Sequence, residues 1–104
     1  MLHKIIPATL KTQQALIDSI ATHEKDRWHV VSMGEVFGGD VLVVVKDGRQ
    51  YEHKVFPVIW KSRSELEAII REYEKKDWVM CAIGECFGCN LMVLKREVHV
   101  QARD

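Results

Sequence analysis

Cys86 and Cys89 stand in a C-x-x-C spacing within the stretch GECFGCN, residues 84–90. Thiolates at that spacing can hold zinc or cycle as a dithiol. A zinc set needs four ligands, however, and Cys81 would project from the opposite side of a strand from Cys86. Dithiol chemistry normally uses a helix N-terminus to lower a thiol pKa. The stretch also has a near copy, GEVFGGD at residues 34–40, in which Val36 and Gly39 replace the cysteines. Both copies keep Phe-Gly-X-Asp/Asn: Phe37-Gly38-Gly39-Asp40 and Phe87-Gly88-Cys89-Asn90. Glycine at the first central position, where φ must be positive, reads as a type II′ hairpin turn. The expectation is therefore a turn used twice, with no resident metal. Cys86 and Cys89 are the weak candidates for one.

The second chemical candidate is a carboxylate and imidazole pair. In a type II′ register Glu35 sits opposite Leu42. If Asp47-Gly48 makes a two-residue type I′ hairpin, Leu42 in turn sits opposite His53. Glu35 and His53 then share a sheet face two strands apart, at about 10 Å. Glu85 and His3 hold the equivalent places in the second copy. A carboxyl group among Met33, Phe37 and Leu42 should have a raised pKa, suited to proton transfer or to anchoring a polar ligand. The ligand-binding candidates are Glu35, Glu85, His53, His3, Phe37 and Phe87. No residue is assigned a catalytic role, because one active site would need only one of the two Glu/His sets. Trp28 and Trp78 are expected to pack between helix and sheet.

The elements that position these groups come in two gapless copies. Shifting the chain by fifty positions aligns 3–47 with 53–97 and matches, among others, His3/His53, Pro7/Pro57, Leu16/Leu66, Glu24/Glu74, Trp28/Trp78 and Gly34/Gly84. Each copy reads as β-α-β-β. An extended segment ends at a proline (HKIIP, HKVFP). A helix follows, N-capped by Thr12 or Ser62, with Glu65 completing a capping box in the second copy. Leu66, Ile69, Ile70 and Tyr73 form an apolar stripe at helical spacing. A tryptophan then opens a strand, and the glycine turn leads to VLVVV or LMVL. With a hairpin at Asp47-Gly48, the expectation is a single α+β domain. It would be a two-layer sandwich with one six-stranded, mostly antiparallel sheet, two helices and pseudo-twofold symmetry, related to ferredoxin-like and α+β-barrel folds.

At 104 residues, 47% hydrophobic and 29% charged, the chain has the composition of a soluble globular domain. Fifteen basic and fifteen acidic residues leave no basic excess, so nucleic acid is not an expected partner. The longest apolar run, Val41–Val45, is far too short to cross a bilayer, so membrane association is not expected either. The N-terminal sequence lacks signal-peptide character, and three cysteines make no disulfide framework. A cytoplasmic protein with free thiols is expected. Both faces of the sheet read as apolar, and two helices can cover only one. A homodimer through the second face is the simplest cover.

The order YEHKVF, amphipathic helix, KKDWVM and LMVLKR resembles a group of small uncharacterised bacterial β-α-β-β domains, here met twice in one chain. A glycine commonly precedes the tryptophan in that group, whereas Arg27 and Asp77 stand there in this sequence. The resemblance implies a fold and no particular chemistry. Phosphate loops, dinucleotide fingerprints and nucleophile elbows are absent, and no cofactor is expected. The expected function is a non-enzymatic dimeric interaction or small-ligand-binding module. The alternatives are an α+β-barrel-type enzyme using a Glu/His pair and a zinc-linked assembly through Cys86 and Cys89.

Overall fold

The computed structural model describes residues 1–8, 12–36, 39–58, 61–86 and 89–99, apart from the side chains of residues 85, 86 and 89. The chain runs β1 (Leu2–Pro7), α1 (Gln13–Lys25), β2 (His29–Val36), β3 (Gly39–Lys46), β4 (Tyr51–Pro57), α2 (Arg63–Glu74), β5 (Val79–Cys86) and β6 (Cys89–Glu97). The fold is α+β, with every strand pairing antiparallel.

The strands make two three-stranded sheets, ordered β1-β3-β2 and β4-β6-β5, in place of the expected single six-stranded sheet. The reason lies in β3. Its two edges are taken by β1 and β2, so no edge remains for β4. The Asp47-Gly48 pair accordingly redirects the chain into the second sheet. Asp47 Oδ1 accepts the Arg49 N–H at 3.1 Å, and Gly48 supplies a φ of 90°.

Register also departs from the type II′ reading. Val36 pairs with Gly39 and Cys86 with Cys89, so Glu35 sits opposite Asp40 and Glu85 opposite Asn90. The turn residues between them, 37–38 and 87–88, lie outside the described residues. In addition, each hairpin shifts register once, between Val30 and Ser32 and between Met80 and Ala82. An extra residue in one strand reverses the facing of everything before it.

Helix starts follow the sequence. Thr12 Oγ1 accepts the Ala15 N–H, and Ser62 with Glu65 forms the full capping box. Both helices end in a Schellman motif: Trp28 N–H donates to the His23 carbonyl and Trp78 N–H to that of Tyr73. The residues that turn the chain there, Arg27 and Asp77, take φ of 66° and 69°.

The two helices are used differently. On α2 one apolar side (Leu66, Ile69, Ile70, Tyr73) packs with Phe56, Trp78, Met92 and Leu94 of the second sheet. The other side carries exposed Glu67 ion pairs to Arg63 and Arg71. On α1 the matching positions are Ile17 and Ala21, so this helix has two apolar sides. Leu16 and Ile20 are buried with Ile6, Val30, Leu42 and Val44 of the first sheet, in a cluster that also contains Ala82, Leu91 and Val93 of the second. At roughly 1.5–3 kcal/mol for each large side chain removed from water, this shared cluster is the main bond between the two units. The sheets also touch directly where β2 packs on β5.

Candidate functional site

The junction between the units carries a buried polar network. His53 of β4 has only 2% of its side chain exposed. Its Nε2 accepts the Val30 N–H at 3.1 Å, which places the ring proton on Nδ1, donated to Glu24 Oε1 at 2.9 Å. The same carboxylate oxygen accepts the His53 backbone N–H at 2.7 Å. Alongside, the buried Lys95 donates to His29 Nδ1 at 2.8 Å and to the Val30 carbonyl at 2.9 Å. His29 Nε2–H then donates to Asp47 Oδ1 at 3.1 Å. Tyr51 completes the cluster, its ring 4.2 Å from that of His29 and 4.7 Å from the Lys95 ammonium.

Burial dominates the electrostatics. It pushes His53 below the ordinary imidazole range against the opposing pull of Glu24, and His29 likewise against Asp47. Burial also lowers the Lys95 ammonium. Beside it, the Cys81 thiol donates to the Val93 carbonyl and is pushed up to about 11 by burial. That thiol is poorly nucleophilic at neutral pH. Both ring nitrogens of His53 and of His29 are engaged within the protein, so neither imidazole has a free position for a substrate proton. The network is a clamp: it satisfies the edge of β2 at Val30 with side chains from the second sheet.

The expected Glu35–His53 pair is not brought together. Glu35 is exposed in the first sheet, and His53 belongs to the second, with Glu24 as its carboxylate partner. His3 is exposed and pairs with Val45 of β3. Strand β1 does not meet β6, so His3 and Glu85 share no sheet. Phe37 and Phe87 lie outside the described residues, as do the side chains of Glu85, Cys86 and Cys89. Among the described residues no three His, Cys, Asp or Glu side chains cluster as metal ligands would. The residues missed in sequence were Glu24, His29 and Lys95. A signal for Lys95 was present: it stands where the first copy has Val45, directly after the apolar run LMVL.

Open surface among the described residues includes a sheet face and a cleft beside α1. The first is the outer face of the β1-β3-β2 sheet, which presents His3, Ile5, Ser32, Gly34, Val36, Val41 and Val43 and no Lys, Arg, Asp or Glu side chain, while Val45 at its end is buried. Ile5 is 62% and Val36 52% exposed. Its counterpart in the second sheet (Val55, Ala82, Leu91, Val93) lies under α1, and Leu91 and Val93 are fully buried. The second is a cleft of about 310 Å³ between α1 and β4, lined by Ile17, Ile20, Ala21, Glu24 and residues 53–56.

Fold and site together define a two-unit α+β domain clamped by a buried His/Lys/Glu network. No protein-family model matches this chain, and comparison with curated proteins and with solved structures returns no match.

Proposed function

We propose that the protein is a non-enzymatic interaction module that self-associates through the outer face of its first sheet. The observation that carries this reading is a contrast between equivalent faces. In the second unit the face is buried against α1 and β2, while in the first it is apolar, carries no Lys, Arg, Asp or Glu, and leaves Ile5 and Val36 exposed. Along a half-solvated antiparallel strand apolar residues alternate with polar ones, so a face left in water is ordinarily polar and an apolar one favours a cover. The shape agrees. A radius of gyration of 14.1 Å exceeds the roughly 13 Å usual for a domain of this length, as an extended arrangement with one uncovered layer would.

The cover that suits this face is a second copy of it. A neighbour's α2 does not suit it, because Glu67 and Arg71 occupy the side that would have to be buried. A three-stranded face offers roughly 350 Å² per protomer from strand spacing and length, under half of a standard interface, so the association is weak, in the micromolar range. Sedimentation analysis between about 1 and 200 μM tests it. The expected result is a concentration-dependent dimer that Val43→Lys abolishes without changing the circular dichroism spectrum. A monomer at every concentration overturns the proposal.

A further inference from the structure

The cleft between α1 and β4 is open along the edge of a strand, and hydrogen-bond parity shows which groups face it. Val58 N–H donates to the Asn90 carbonyl, and Val98 N–H to that of Gln50. Even-numbered residues of β4 therefore bond to β6, and the N–H and C=O of His53 and Val55 point outward. Glu24 Oε1 receives the outward His53 N–H at 2.7 Å, in the place a carbonyl of an added strand would occupy. Among the described residues no hydrogen bond to the next outward pair, the Val55 N–H and C=O, is formed apart from the β4–β6 ladder itself. Pro57 ends the edge, since its nitrogen has no proton.

From this edge we infer that the α1/β4 cleft binds a short extended peptide by strand addition, with its main chain paired to Val55. A peptide residue opposite Val55 turns its side chain toward Ile17 and Ala21 of α1, which favours a small apolar or β-branched residue there. Two places along, the position opposite His53 is already filled by the Glu24 carboxylate, so the peptide's adjoining side chain meets a negative charge there, which favours a cation. Lys54, the other charged residue of the lining, sends its ammonium to the opposite face, 5.3 Å from the Trp78 ring and 5.4 Å from that of Tyr73. The charge selecting a ligand is thus that of Glu24. A second copy of β4 is a poor occupant, since α1 flanks the edge on each copy and two Glu24 carboxylates would approach one another. This surface is separate from the outer face of the first sheet, so the two proposals stand or fall independently.

The probes are two amidated pentapeptides, alternating valine and threonine, with one lysine at the N- or the C-terminal end. They are titrated into the ¹⁵N-labelled full chain. The expected result is saturable binding of at least one peptide at micromolar to millimolar concentration. Shift changes should centre on Ile17–Glu24 and His53–Phe56, with slowed hydrogen exchange at the Val55 amide. Ala21→Lys, at an exposed position of α1, should weaken binding at least tenfold in a chain that remains folded. N-methylation of the peptide amide that meets Val55 should do the same. No saturable shift from either peptide overturns the inference. So does equal binding of the N-methylated peptide, which would mark an apolar small-molecule cleft, or a response confined to the first sheet's outer face.

Discussion

His53 shows how much one side chain can hold in a small protein. It bonds α1 through Glu24 and β2 through Val30, and both bonds require the neutral Nδ1–H tautomer. His53→Ala should cost about 2–3 kcal/mol, since it leaves the Val30 N–H without its buried acceptor; urea denaturation checks this. The same network sets an acid dependence. His53 and His29 have folded pKa values lowered from 6.5, so below that pH the unfolded chain binds more protons than the folded one. Their contribution is fully present above 6.5 and is lost as pH falls through the folded values. Unfolding midpoints should hold steady from pH 8 to 7 and fall between pH 6.5 and 5, less so in His53→Gln. Cys81 gives a separate test. With its thiol moved from 9.0 to about 11, alkylation at pH 7 should run on the order of 100-fold slower than for an unperturbed thiol, as peptide mass spectrometry can follow.

At the scale of elements, what is local was legible. Thr12, Ser62 and Glu65 announce the helix starts, because a cap needs only residues within one turn. The helix ends were half legible. Arg27 and Asp77 precede the two tryptophans, and both adopt left-handed backbone, the conformation that favours glycine. A side chain there costs about 1 kcal/mol or more over glycine. Arg27→Gly and Asp77→Gly should each raise the melting temperature by about 4–8 °C for each kcal/mol recovered, measured by calorimetry. The bulges at Val31 and Cys81 were not legible, since near-continuous apolar runs pass through them and leave no alternation to break. They reversed the facing of the strand starts and helped bring His29 to the junction. The same limit governs Glu35. Two plausible turn registers differ by one position, and that difference puts Asp40 opposite it in place of Leu42.

On the scale of the molecule, the two units depend on each other. The second sheet's inner face (Leu91, Val93) is buried because α1 and β2 of the first unit pack against it. Residues 51–104 expressed alone would expose that face, and a chain of that size holds little stability in reserve. The isolated half should lack a cooperative thermal transition by circular dichroism, whereas the two halves mixed should recover one.

The sequence by itself determined the two β-α-β-β units, their capped helices and the α+β class, because periodicity, caps and repetition are properties of neighbouring residues. It held the trace of asymmetry too, in Ile17 and Ala21 against Glu67 and Arg71. Only the tertiary structure decided that β3 spends both its edges within its own unit. From that follow the two separate sheets, the wedge filled by α1 and the pairing of His53 with Glu24 in place of Glu35. Competition for a strand's two edges is settled by the whole chain at once, and no local stretch of residues records the outcome.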